Sequence, residues 1–357
     1  MAEFDVFIGG AGPAGAAAAI TLARAGYAVC AADRARPGEF KIGESLAPAV
    51  KPLLRDLGAL SACDGCRALV SYGNQSAWGS PDLADTDFIR DPHGHGFHVD
   101  RAAFDGELRA VARRAGALVL EDTCIQRMER ISGRWQVVLE NSGGLQTHKA
   151  RWMLDCSGRS SVFARAQGAK PTVYNRLAAV IAIFESPDDS DRDSRTLVES
   201  APDGWWYTSL VPGRRRIVVF HTDAPQVRQP EEFLAMMATT RHVVKRIEEN
   251  GYRLSGGLRS AAANTLLLTP ACGDGWFAAG DAAAAFDPLG SQGILTALYS
   301  GLKAAQALDE SAKGSADAAT RYERALRDVM DAHLRNRDLY YGYETRWPDH
   351  PFWARLR

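Results

Sequence analysis

"DVFIGGAGPAGAAAAITLARAGYAVCAADR", residues 5–34, decides the fold. Its apolar run at 5–9 reads as a strand, and after a glycine-rich turn an Ala-rich stretch from about 13 to 25 reads as a helix that Gly26 terminates. A second strand at 28–32 completes a βαβ unit. Within it, Gly10-x-Gly12-x-x-Gly15 has the spacing of a dinucleotide fingerprint. Gly10 permits the tight turn, Gly12 lets bare backbone approach a pyrophosphate, and Gly15 lets the helix pack on the strand. Pro13 and Ala14 open the helix, whose unpaired N–H groups face the anion. Asp33 ends the second strand 23 positions after Gly10, where a carboxylate accepts hydrogen bonds from a ribose, and Arg34 follows it.

Composition narrows what surrounds this unit. At 357 residues and 46% hydrophobic content the chain can bury a sizeable core, in one large or two ordinary domains. Its 42 basic and 43 acidic residues leave a formal charge of −1, so no global field would hold nucleic acid or an anionic membrane. No apolar run is long enough to span a bilayer, and a strand within the first ten residues leaves no room for a signal peptide. A cytoplasmic location is the expectation. The six cysteines are scattered, as in a reduced protein. Cys63-x-x-Cys66 lacks the second cysteine pair or nearby histidine that zinc needs, so both are read as loop thiols and no metal site is expected.

The fingerprint alone does not separate nicotinamide from flavin dinucleotides. A second stretch does: "FAAGDAAAAFDPLGSQGILTAL", residues 277–298. It leads a buried strand through Gly280 into Asp281, where a carboxylate at the edge of the same sheet meets a ribityl chain or pyrophosphate. Pro288, Gly290, Ser291, Gly293 and Ile294 then bring the N–H groups of a helix start against a flat, electron-accepting ring. Such donors stabilise the negative charge of a reduced flavin, a support nicotinamide does not need.

With these motifs the chain resembles the FAD-dependent proteins of the p-hydroxybenzoate-hydroxylase group, which includes monooxygenases, halogenases and geranylgeranyl reductases. The resemblance is carried by "GGAGPAG" at 9–15, "KIGESLAP" at 41–48, "HVDRAAFDGEL" at 98–108, "DCSGRSS" at 155–161 and "GDAAAAFDPLGSQGI" at 280–294. It implies an α/β fold in which a Rossmann-like FAD-binding domain is interleaved with an antiparallel β-sheet substrate domain. It also implies that Lys41, Glu44 and Ser45 lie against the flavin and that Arg101 reaches it. From the residues alone, Ser45 reads as the cap of a helix carrying Val50, Leu53, Leu54 and Leu57.

The expected FAD domain comprises 1–70, 101–167 and 269–330; the substrate domain comprises 71–100 and 168–268; a C-terminal helix and tail occupy 331–357. Residues 71–99 read as short polar-aromatic strands and turns. "LAAVIAIFE", "GWWYTSLVP" and "RRRIVVFHT" read as half-apolar antiparallel strands. The tail "YYGYETRWPDHPFWARLR" suits either contact with another protein or a strap across its own surface.

A single Gly-x-Gly-x-x-Gly leaves no second nucleotide domain, so reduction would come from transiently bound NAD(P)H or from a partner flavin reductase, with O2 as co-substrate. Halogenases of the group carry Trp-x-Trp-x-Ile-Pro; here the matching stretch is "YTSLVP" at 207–212, with Tyr207 and Ser209 at the tryptophan positions. No lysine stands between Cys66 and Arg90, where some halogenases keep theirs. Both departures demote halogenation. The chain is most similar in "KIGESLAPAVKPLLRDLG", "YGNQSAWGS" and "GWWYTSLVP" to maturation flavoproteins of quinoprotein amino-acid oxidases. That likeness implies oxygenation of a tryptophan in a precursor polypeptide. Trp78, Trp205, Trp206 and Phe286 are the expected pocket walls, although 205 and 206 must point to opposite sides of a strand. Tyr207, His93 and His95, with His98 beside them, are the candidate proton donors. A small-molecule monooxygenase or halogenase, a geranylgeranyl-type reductase and a non-catalytic flavin-bearing chaperone are the alternatives.

Overall fold

The computed structural model describes residues 2–223 and 227–356. The opening strand, Ala2–Gly9, is exposed at its start and buries Val6, Phe7 and Ile8 as it enters the core. It lies between Val29–Ala32 and Gly144–Asp155, parallel to both, and the parallel run extends to Leu118–Leu120 on one side and Trp276–Ala278 on the other. Gly144–Asp155 is long because it serves two partners along one edge: Arg134–Asn141 antiparallel at its start, and Trp276–Ala278 parallel at its end. A turn in which Asn141 Oδ1 accepts from the Gly143 N–H, with Gly144 at φ +96°, makes that reversal.

Two helices lean on this sheet, Pro13–Arg24 and Gly293–Ala312. They approach closely because small residues meet: a methyl group added to Gly301 would collide with the Ala14 carbonyl, and one on Gly280 would stand 2.7 Å from the Ala14 Cβ. The chain thus brings two helix starts, nearly 280 residues apart (293 − 13), to the same end of the sheet.

The second eight-stranded sheet runs in the order Arg253–Leu254, Ala178–Glu185, Arg215–Thr222, Gly204–Val211, Thr196–Ala201, Gly73–Ala77, Ala84–Asp87, with Arg259–Ala262 also on Ala178–Glu185. All pairings are antiparallel except Thr196–Ala201 with Gly73–Ala77. Alternation splits its faces. Val180, Phe184, Trp206, Val218 and Phe220 pack under the helices Pro230–Met237 and His242–Glu249 through Phe233, Met237, Val243 and Ile247. Ala179, Trp205, Tyr207, Val219 and His221 take the opposite face.

Three local expectations change. Ser45 is not a helix cap; Ser45–Leu46 pairs with His98 and Phe97 as a two-residue strand, and the helix Val50–Asp56 starts after Ala49 without a side-chain cap. Cys63 and Cys66 are not loop thiols. Cys63 lies in the helix Ser61–Gly65 and Cys66 just after it, both in the core, where burial pushes their pKa values up to about 12 and about 11. The C-terminal helix, Ala318–Gly342, runs past the expected start of the tail. The tail itself is a strap: Phe352 and Trp353 are buried, and Trp353 Nε1 donates to the Ala201 carbonyl at 3.0 Å. Among the described residues no helix is long and apolar enough to cross a membrane, and no cluster of side chains could hold a metal ion.

Candidate active site

A cavity of about 890 Å³ opens between the parallel sheet and the inner face of the second sheet. Four parallel strands deliver their carboxyl ends to it, through Gly10–Ala14, Asp33–Ala35, Cys156–Ser160 and Ala279–Asp281. That is where open α/β sheets bind ligands. The glycines divide the work. Gly10 has φ +102° and a side chain there would strike the Cys156 carbonyl. Gly15 lies against the Gly10 carbonyl with no room for a Cβ and does not line the cavity. A Cβ on Gly12 would meet nothing within 4 Å, because that position faces the open space. Asp33 fixes the turn: its Oδ2 accepts from the Ala11 N–H and its Oδ1 from the Ala35 N–H, both at 2.8 Å.

Arg101 begins the helix Arg101–Arg114, which Asp100 caps by accepting from Ala102 and Ala103. The guanidinium donates to the carbonyls of Ile42 (2.7 Å) and Gly43 (3.2 Å) and forms a two-pronged pair with Asp105 at 3.1 and 3.2 Å. Lys41 reaches the same carboxylate at 3.4 Å. Lys41, Glu44, Ser45, Arg101 and Asp105 all line the cavity. Across from them Asp281 opens toward the space 3.6 Å from Arg159. Its enclosure by the protein raises its pKa, a rise the charges of Arg159 and Arg101 partly offset. Arg159 also donates to the carbonyls of Asn264 and Phe286. Asp105 and Arg159 were quoted within motifs but not singled out. Arg101 lies one helical turn before Asp105, but Lys41 for Asp105 and Asp281 for Arg159 are remote in sequence and meet them only through the fold.

The loop after Asp281 lines the cavity with Phe286, Asp287, Pro288, Ser291, Gly293 and Ile294, while Gly290 turns outward. Asp287 is buried and accepts from the Leu289 N–H at 3.0 Å and the Tyr341 hydroxyl at 2.9 Å. Burial raises its carboxyl to about 6 in spite of those donors.

The facing wall carries Ala179, Tyr207, Val219, His221 and Ala261–Ala263. Tyr207 joins a buried hydroxyl–carboxylate cluster. Ser209 Oγ donates to Glu44 Oε1 at 2.5 Å, Thr196 Oγ1 lies 3.0 Å from His98 Nε2, and the Tyr207 hydroxyl bonds within the same group. Burial, then the Glu44 charge, lifts the Tyr207 pKa well above the ordinary phenol value. His221 lies face to face on Trp205 with centroids 3.7 Å apart, and burial lowers its pKa to about 3. Its Nδ1 is buried without a protein partner among the described residues. His221 was read only as part of a strand. Its register opposite Trp205 was the signal available.

Other expected site residues lie elsewhere. Trp206 belongs to the opposite face, against Phe220 and Phe233. Trp205 and Trp78 do not line the cavity; they pack with each other and with Tyr341 and Trp353 of the C-terminal segment, and Trp205 lies behind the lining residue His221. His93 is exposed in the turn where the Gly94 N–H donates to the Asp91 carbonyl, and its own carbonyl accepts from Lys51. His95 turns to Gly96 O and Phe97. His98 is sealed between Leu210 O and Thr196, and burial lowers its pKa to about 4. None of the three lines the cavity; short strands and a tight turn tie that segment to its own backbone.

A family model described as an FAD binding domain matches residues 3–336. The chain belongs to this family. The flavoprotein is 28% identical to LodB of Marinomonas mediterranea, named an FAD-dependent oxidoreductase, over 99% of this chain and 97% of the relative. It is 26% identical to a tryptophan 2-halogenase of Chondromyces crocatus over 96% of this chain and 66% of the halogenase. Among solved structures it is similar to the peptidyl tryptophan dihydroxylase QhpG, with TM-score 0.80 and 25% identity, covering 99% of this chain and 79% of that one. The flavin-dependent halogenase CmlS shares its fold at TM-score 0.85 and 23% identity, over 100% and 68% of the two chains. The flavoprotein is thus an FAD-dependent oxidoreductase with the p-hydroxybenzoate-hydroxylase-like architecture. Its cavity fits FAD. The volume suits a large ligand, the space in front of Gly12 is open, and two helix starts and an anchored Asp33 stand where a dinucleotide needs them.

Proposed function

We propose that this flavoprotein is a monooxygenase of an electron-rich aromatic ring, and that the ring is a tryptophan side chain in a partner polypeptide, such as a quinoprotein oxidase precursor. FAD would be held by Gly10–Ala14 and Asp33 at its ADP half, by Lys41–Ser45, Arg101 and Asp281 along its middle, and by Pro288–Ile294 at its ring. When bound and reduced it supplies the electrons that activate O2. With one dinucleotide fingerprint in the chain, those electrons come from transiently bound NAD(P)H or from a partner flavin reductase.

The observation that carries the reading is the wall facing the cofactor side. It offers room in front of small residues, Ala179 and Ala261–Ala263, one phenol and one neutral imidazole. Tyr207 keeps its proton at physiological pH, because burial and Glu44 both oppose ionisation, and so it stands in this wall as a neutral hydroxyl. His221 stays uncharged and orients a polar edge of the ring without imposing a charge. Oxygenating an indole needs orientation and a donor more than a strong base. The similarity to QhpG, whose name states a peptidyl tryptophan substrate, supports the same choice.

Halogenation is the second reading, favoured by the similarity to the tryptophan 2-halogenase. Against it, Lys41 is the one lysine among the described lining residues, and Asp105 holds it. One experiment separates the two. Reconstituted protein is given reduced FAD, O2, bromide and a tryptophan-containing peptide of the partner, and the peptide is weighed by mass spectrometry. A gain of one or two oxygen atoms on tryptophan is expected. Bromination would replace the reading with the second, and an unmodified peptide beside an oxidised small aromatic would refute the protein substrate.

A further inference from the structure

One carboxylate joins the cofactor-facing loop to the C-terminal helix. Asp287 Oδ1 accepts from the Leu289 N–H at 3.0 Å and so closes the Pro288–Gly290 turn, after which Ser291 adopts φ +49° and the helix Gly293–Ala312 begins. Asp287 Oδ2 accepts from the Tyr341 hydroxyl at 2.9 Å and from Asn175 Nδ2 at 3.4 Å. The direction of the Tyr341 bond is forced. Trp205 Nε1 can only donate, and it donates to the Tyr341 oxygen at 3.0 Å, which commits the single hydroxyl proton to Asp287. Asp287, Tyr341 and Trp205 are 2%, 2% and 0% exposed, so water cannot replace either bond without the fold opening. Asp287 lines the cavity; Tyr341 and Trp205 do not.

We propose that Tyr341 is a positioning residue for FAD, acting from behind the cavity wall through Asp287 to fix the turn whose backbone closes on the cofactor. This rests on the assignment of Pro288–Ile294 to FAD made above. It gives the C-terminal segment a part in cofactor binding that its sequence, an aromatic run without periodicity, does not announce.

The linkage has a sign. The groups that face Asp287 are Tyr341 and Arg337 from the C-terminal helix, Arg159 from the Gly158–Ser160 turn and the uncharged Asn175. His333 of the same helix stands edge-on to Phe286 beside it. Tyr341, Leu289, Arg337 and Arg159 all favour the carboxylate against burial. The ionised form accepts both bonds, so cofactor affinity is full above the Asp287 pKa and falls as pH drops through it. Removing the Tyr341 hydroxyl moves that fall to higher pH.

The test is FAD titration into apoprotein, read as quenching of flavin fluorescence, from about pH 5 to about pH 8. Wild type should lose affinity on acidification through about pH 6. Tyr341→Phe should bind roughly tenfold more weakly at neutral pH and show its loss at higher pH. Asp287→Asn should bind weakly with no such transition. Thermal unfolding of each apoprotein reports whether the variant folds, and Asp287→Asn, which keeps shape, decides the matter if Tyr341→Phe does not. A folded Tyr341→Phe with wild-type affinity and midpoint overturns the proposal, as does an Asp287→Asn transition at the wild-type midpoint. Gly12→Ala separates the levels. If it weakens FAD while both loop variants do not, the loop assignment is wrong; if none of the three matters, FAD does not occupy this cavity.

Discussion

Ser209 donates to Glu44 at 2.5 Å, and with that bond the substrate-side sheet is tied to the loop that follows the first βαβ unit. Both residues are buried, and Glu44 Oε2 is occupied by the Gly43 N–H at 3.1 Å. Position 209 thus places a hydroxyl against a buried carboxylate. Ser209→Ala removes one donor from this buried carboxylate, which costs roughly 1–3 kcal/mol. Chemical denaturation should show that loss. Restored stability in the Ser209→Ala/Glu44→Gln double variant, relative to the sum of the singles, would measure the coupling.

Tyr207→Phe keeps the ring and removes only the hydroxyl. If the phenol supplies a hydrogen bond to the reacting substrate, kcat should fall by about a hundredfold or more, with bound flavin per chain unchanged. Wild-type turnover in this variant would strip Tyr207 of its role. Parallel substitution of His93 or His95 by Ala should leave kcat within about twofold, because neither lines the cavity.

The two adjacent tryptophans should behave unlike each other. Trp206→Ala opens a cavity among Phe220 and Phe233, at a cost of roughly 3–5 kcal/mol. It should leave FAD affinity near wild type, since it faces away from the site. Trp205→Phe keeps most of the packing but takes the indole donor from Tyr341 and shrinks the ring stacked on His221. Its effect should appear in substrate KM before it appears in unfolding. Steady-state kinetics beside denaturation curves would distinguish the pair, and equal flavin and substrate affinities in both variants would contradict the assignment of faces.

This contrast also shows where the sequence was and was not informative. Gly10, Gly12, Gly15 and Asp33 were legible because the turn, the helix start and the second strand are neighbours in the chain, each with its own local physics. The opposite facing of Trp205 and Trp206 followed from strand alternation alone. Which face met the cavity did not, because that depends on a C-terminal helix more than a hundred residues away whose Tyr341 and a tail whose Trp353 cover Trp78 and Trp205. Asp105, Arg159, His221 and Asp287 escaped for the same reason. Arg159, His221 and Asp287 have surroundings set by Asp281, Trp205 and Tyr341, at separations that no periodicity encodes, and Asp105, one helical turn after Arg101, gains Lys41 only through the fold. For His93 and His95 the sequence left a poised site and a plain loop both readable; in the fold Gly94 at φ +68° serves a tight turn and neither histidine lines the cavity.

Acid should destabilise the fold through two buried imidazoles and one half-buried one. Burial lowers His221 to about 3 and His98 and His333 to about 4. In the unfolded chain each takes up a proton near pH 6.5, so the unfolded state binds more protons between that pH and the folded value. Stability is therefore full above about pH 6.5 and declines as pH falls below it, by up to about 1.4 kcal/mol per pH unit for each group. His221→Phe, which keeps a flat ring on Trp205, should make the decline shallower. Urea midpoints measured across that range would check it, and an unchanged slope would mean that His221 is protonated in the native state.

Gly10 and Gly12 stand two residues apart in the same turn, yet alanine should act on them through different states of the protein. At Gly10 the backbone is at φ +102° and an added methyl would strike the Cys156 carbonyl, so Gly10→Ala strains the folded apoprotein itself. At Gly12 the backbone is extended, with φ −73°, and an added methyl meets no protein atom within 4 Å. Gly12→Ala should therefore leave the apoprotein's unfolding free energy within about 0.5 kcal/mol of wild type. The methyl group instead occupies space that a pyrophosphate would use, and FAD affinity should fall by about tenfold or more. Unfolding of the two apoproteins, followed by FAD titration of each, reads both effects. A Gly12→Ala protein that binds FAD as wild type does would show that the open space in front of residue 12 is not where the cofactor's phosphates lie.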